Sequence, residues 1–216
     1  MDQFGWGDCQ VVDIRAVLWS VVQEFQKAGV EVKETICVYP SDLGHPRALT
    51  ERGPKGEHSV LLSARDRKYN KYVYQFSHEY CHLFTGHFKT AGDHRARWLD
   101  EVLCETASLW CLKQLSDTWT NDPPYDAWRA YAPNFDSYAD RMMADSPQIK
   151  PEVEFKEWFE KEIESMQNNS TLRDKNMMVS KQLLPLFLSQ PETWCCTQEI
   201  NDTNDTNLSC ASQLMA

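Results

Sequence analysis

Several features are missing from this chain, and each absence narrows what it can be. No stretch of its 216 residues approaches the length of apolar sequence that crosses a bilayer, and the opening MDQFGWGDCQVVD has no basic segment followed by an apolar run. A cytoplasmic protein with no membrane partner is expected. Positive charge is also short: 22 Lys and Arg against 32 Asp and Glu leave a formal charge of -10. That balance opposes a phosphate-tracking surface and argues against nucleic acid as a partner. The local basic group of Arg65, Arg67, Lys68 and Lys71 reads as the solvated start of a helix.

Paired cysteine spacing is lacking as well. Of the eight cysteines, Cys195 and Cys196 are adjacent and Cys210 follows, without the spacing of a zinc knuckle. Cys81, Cys104 and Cys111 fall inside helical patterns as small apolar residues. With no signal peptide the thiols are expected to be reduced. In that compartment the sequons at Asn168, Asn169, Asn201, Asn204 and Asn207 carry no glycan. No internal repeat is present.

What the chain does contain, 42% hydrophobic and 12% aromatic residues, describes a folded protein. Its length suits a single domain, expected over residues 1–190, with 191–216 as a loose polar tail. Ile14, Val17, Leu18, Val21, Val22 and Phe25 recur at helical spacing, with Asp13 as the expected cap and Gly29 as the stop. VEVKETICVY alternates like a strand, HSVLLSA reads as a second strand, and the Gly- and Pro-rich stretch between them reads as loop. Helices are expected within RKYNKYVYQFSHEYCHLFTGH, ending near Gly86, and from about Arg97 to Leu115, and the proline-punctuated NDPPYDAWRAYAPNFDSYADRMM becomes helical toward its end. Two more follow, in EVEFKEWFEKEIESM and in LRDKNMMVSKQLLPLFLSQ, the second ended or bent near Pro185. This is an α+β pattern with a helical C-terminal half.

The stretch HEYCHLFTGHFKTAGDHRARWLDEVLCE, His78 to Glu105, carries the chemistry. Residues four apart on a helix lie one turn above each other, so His78 and His82 can offer their imidazoles to one metal ion. Glu79 stands beside them, placed to act as a general base on a metal-activated water. A catalytic zinc site needs a third protein ligand. Glu101, separated from His82 by eighteen intervening residues, can reach it from a docked second helix.

HEYCH, that gap and WLDE together resemble the zinc aminopeptidase arrangement within the gluzincins, where HExxH is followed by a WLNE segment. The resemblance implies a zincin-like fold, a short sheet packed on the metal-site helices. It implies Zn2+ held by His78, His82 and Glu101, Glu79 as general base, and a peptide or protein substrate. In thermolysin-like members an aspartate at the place of Glu105 bonds a ligand histidine, which implies that Glu105 orients His78. Other ligand sets are open: Asp93 in an aspzincin-like site, or His87 or His94 in a three-histidine site like that of SprT-like proteases. A metzincin pattern fails, because Thr85 and Phe88 stand where it needs Gly and His. Tyr125, Tyr131, Tyr138, His94 and Arg97 are candidate donors to a developing oxyanion. The expected activity is a zinc metallopeptidase. The alternatives are a zinc-binding interaction or regulatory module with weak or no hydrolysis, and a helical structural protein in which HEYCH is coincidental.

Overall fold

An amphipathic run starts the fold. In the computed structural model, which describes residues 5–87, 97–148, 152–198 and 200, α1 (Val11–Lys27) buries Ile14, Val17, Leu18, Val21 and Phe25 on one face. Asp13 lies inside the first turn, where its charge complements the helix N-terminus, and the cap position belongs to Gln10. Gly29 ends the helix as expected, at φ +81°.

The first strand is shorter than its alternation suggests: β1 is Ile36–Pro40. Val30, upstream, is fully buried, and the Val32 N–H donates to the Tyr80 hydroxyl at 3.1 Å. This connector is anchored on a helix and not on a neighbouring strand. Within the stretch expected to be all loop lies a two-residue strand, β2 (Arg47–Ala48), antiparallel to β3 (His58–Leu62). The other side of β3 pairs parallel with β1, so the order β1-β3-β2 leaves β2 at the sheet edge. Two residues show no periodicity, which is why the sequence conceals this strand.

Helix α2 (Tyr69–Phe84) packs on the sheet and on α3 (Arg97–Asn121), followed by a 3-10 turn (Asp126–Tyr131), α4 (Pro133–Asp145), α5 (Glu152–Asn168) and α6 (Arg173–Ser189). Helix α3 touches α1, α2, α4, α5 and α6. It is buried on nearly every side from Trp98 to Trp119, so it runs beyond the apolar stripe that marks it in the sequence. Small hydroxyl residues let the backbones close on it: Ser108 Oγ donates to Tyr74 O at 2.9 Å and Ser180 Oγ to Val102 O at 2.8 Å. Helix α6 continues through Pro185 without ending there.

The fold also extends past residue 190, where a loose tail is expected. Pro191–Thr197 forms a 3-10 turn that buries Trp194 completely. Its ring meets Phe187 at 4.0 Å, Phe25 at 5.6 Å and Trp110 at 5.6 Å between centroids. One large aromatic side chain is enough to dock the segment. Cys81, Cys104 and Cys111 are buried free thiols, and Cys195 and Cys196 are exposed free thiols. Cys210, the sequons at Asn201, Asn204 and Asn207, and Asp93 and His94 lie outside the described residues. No helix among the described residues is long and apolar enough to cross a membrane.

Candidate metal centre

Two stripes of polar side chains face each other across the α2–α3 interface. On α2, Tyr74, His78 and His82 repeat at i, i+4, i+8; on α3, Asp100 and Cys104 lie beside Glu101 and Glu105. Helix α2 is fastened to the sheet at two points. Gln75 Oε1 accepts the N–H groups of Ser63 and Ala64 at 3.0 and 2.9 Å, and Glu79 Oε2 accepts the Ala48 N–H of β2 at 2.6 Å. Leu49 N–H bonds to Ser59 of β3, so the Ala48 N–H, one residue earlier, faces the free edge and α2.

His78 Nε2 lies 3.5 Å from Glu101 Oε2, and His82 Nε2 lies 3.8 Å from Glu101 Oε1. Behind them, Asp100 is fully buried and accepts bonds from His82 Nδ1 at 2.7 Å, His87 Nδ1 at 2.5 Å and Thr85 Oγ1 at 2.6 Å. Glu105 approaches His78 from the other side. Its Oε2 is 4.0 Å from His78 Nδ1, too far for a hydrogen bond, and its Oε1 accepts the Tyr74 hydroxyl. Cys104 Sγ is 3.2 Å from His82 Nδ1.

Two groups of these side chains could hold a metal ion by proximity of their donor atoms: His78, His82 and Cys104, and His82, His87 and Asp100, each within 4.8 Å. His82 belongs to both. Burial and the neighbouring Cys81 push the Cys104 thiol well up, away from the thiolate that binds metals.

The electrostatics of the cluster follow from burial opposed by pairing. Burial pulls the His82 ring down, but Asp100 and then Glu101 outweigh it and raise the ring to about 10. Burial would raise Asp100, yet His82 and His87 hold its carboxyl well below the usual range. His78 is raised too, the Glu101 carboxylate overcoming burial. Glu101 is lowered, because the two histidines outweigh its desolvation. Glu105 moves the other way: burial raises it against the opposing pull of His78 and Tyr74.

Tyr74, His78, Glu79, His82, His87, Glu101 and Glu105 line one cleft of about 610 Å3, together with β2, the first turn of α6 and residues of α4, while Asp100 and Cys104 are not part of that lining. Of the aromatic and basic candidates for oxyanion donor, Tyr138 lines the cleft. Tyr131 is bound elsewhere, accepting the Asn70 N–H at 3.2 Å. Tyr125 and Arg97 are exposed and do not line the cleft. Asp100 and Tyr74 escape sequence reasoning. The signal for Asp100 is present in hindsight as a carboxylate beside Glu101; Tyr74 is marked only by its place one turn before His78.

Family models, curated proteins and solved structures were compared with this chain, and none matches.

Proposed function

We propose that the protein is a zinc-dependent hydrolase of the gluzincin type, acting on peptides, with His78, His82 and Glu101 as ligands and Glu79 as general base. The observation that carries this reading is the approach of both histidine Nε2 atoms to the two oxygens of Glu101, at 3.5 and 3.8 Å. Ligands about 2.1 Å from a tetrahedral zinc stand roughly 3.4 Å apart, so these separations suit donors around an ion. The shorter contacts at Asp100, 2.7 and 2.5 Å, are hydrogen-bond lengths and suit a carboxylate that orients a ligand. The edge position of β2 beside α2 supports a zincin-like packing of sheet on metal-site helices.

Zinc in this place would supply a Lewis acid that acidifies a water and polarises a carbonyl. The chain's own residues divide the remaining work. Asp100 holds the proton of His82 at Nδ1, leaving Nε2 free to ligate. Glu79 takes a proton from the attacking water and delivers it to the leaving amine. On this reading an extended peptide runs along the edge of β2 and takes the Ala48 N–H over from Glu79, which favours a peptide over other amides. Tyr138 lines the cleft as a donor for the developing oxyanion.

One observation favours a second reading, a zinc-binding interaction module: Glu79 Oε2 is already engaged by the Ala48 N–H at 2.6 Å. Glu79→Gln separates the two. On the hydrolase reading the variant keeps its zinc, and cleavage of a mixed peptide library followed by mass spectrometry falls by about 100-fold or more. Wild-type protein fully loaded with zinc that cleaves nothing would favour the interaction module.

A further inference from the structure

The cleft continues past the histidines to a wall that the metal chemistry does not use. Arg47 of β2, Lys71 in the first turn of α2 and Arg173 in the first turn of α6 all line it. Some of the chain's cations pair with its acid, Arg65 with Asp42, Arg67 with Asp8 and Lys113 with Asp136, and others on the surface have no such partner among the described residues. Among the described residues, no carboxylate lies within 4.0 Å of Arg47, Lys71 or Arg173. Three cations without a contact ion pair thus line one concave surface, Arg173 acting at longer range on the buried Glu105, in a chain whose net charge is -10.

A second, independent feature lies on the same wall. Asn176, three residues beyond Arg173 on α6, is 4% exposed and lines the cleft. Its Nδ2 donates to Ser170 O at 2.7 Å, while its Oδ1 is buried without any donor. Native proteins rarely leave a buried acceptor unpaired, and one beside a cleft awaits a ligand N–H. Cation and acceptor together match two neighbouring features of a peptide, a carboxylate and a backbone N–H.

The distance along the cleft sets where that carboxylate falls. Lys71 precedes His78 by seven residues on α2, about 10 Å of helix at ~1.5 Å per residue. Three residues of extended peptide cover roughly the same length.

We propose that this wall is a subsite for a peptide carboxylate about three residues from the scissile bond, held by Arg173 and Lys71, with Asn176 Oδ1 accepting a peptide N–H. The carboxylate comes from an acidic side chain or from the peptide's C-terminus. The inference rests on the reading of the cleft as a peptide site, and it extends that reading to acidic substrates.

Binding to zinc-loaded Glu79→Gln protein tests it without requiring turnover. Three sets of short random peptides with a neutral fluorophore are compared by anisotropy: glutamate at a central position with an amidated C-terminus, glutamine there with a free C-terminus, and glutamine with an amidated C-terminus. One of the first two sets should bind about 10-fold or more tighter than the neutral set. High salt should shrink the difference. Combining Arg173→Ala with Lys71→Ala should abolish it while zinc content and circular dichroism stay unchanged, and Arg173→Lys should restore part of it. Equal binding of all three sets, an advantage that survives the double substitution, or no binding at all would overturn the proposal. A carboxylate preference in a protein whose wild type cleaves nothing would sustain the subsite and sink the hydrolase reading. Cleavage with no such preference would sink the subsite alone.

Discussion

Replacing Asp100 by asparagine tests the scaffold behind the histidines in the metal-free protein. Asp100 has no exposed surface and, among the described residues, accepts bonds from His82, His87 and Thr85. Asparagine keeps the shape but removes the charge and turns one acceptor into a donor. Breaking a buried ion pair by removing one partner costs about 3–5 kcal/mol, and that range is expected for unfolding by urea in the presence of a chelator. The pH dependence carries the sign. His82 is raised from 6.5 to about 10 in the fold, so its contribution is complete below pH 6.5 and is lost as pH rises through 10. Asp100 is lowered, so its contribution is present above its ordinary 3.8 and is lost only in stronger acid. The stability gap between wild type and Asp100→Asn should therefore be widest between about pH 4 and 6.5 and should narrow toward pH 10. A gap under about 1 kcal/mol, or one that does not change between pH 5.5 and 9.5, would refute the argument.

Three further outcomes are expected. Glu101→Ala should strip zinc measured by elemental analysis, while Cys104→Ala and His87→Ala should retain it; the reverse pattern would move the ligand set to one of the groups built on His82. Tyr74→Phe removes the hydroxyl that Glu105 Oε1 accepts and leaves that buried carboxylate one donor short, which should cost about 1–3 kcal/mol in denaturant unfolding; an unchanged stability would show that the Glu105 carboxyl does not depend on this donor. Trp194→Ala, at a side chain with 0% exposure, should cost about 3–5 kcal/mol in denaturant unfolding, and a loss below about 1 kcal/mol would mean the last 3-10 turn is not part of the core.

Local pattern was sufficient for much of this protein. The amphipathic stripe of α1, the stop at Gly29, the free thiols inside helices and the one-turn spacing of His78 and His82 are short-range properties, set by helix geometry and side-chain type. Glu101 and Glu105 share a helix face for the same reason. Other features depend on what one element meets in another. The two residues of β2 become a strand only because β3 offers a ladder, and Glu79 then becomes their partner across 31 positions of sequence. Trp194 docks a segment of polar composition because Phe25, Trp110 and Phe187 leave it a place. Asp100 is one carboxylate among 32 acidic residues until α3 turns it away from water toward His82. Burial makes its charge an organiser of the histidines: in the low dielectric behind α2 a carboxylate keeps its charge only with donors around it. Periodicity reports which side of a helix is wet, but it cannot report which partner waits on the dry side; that is decided by tertiary packing.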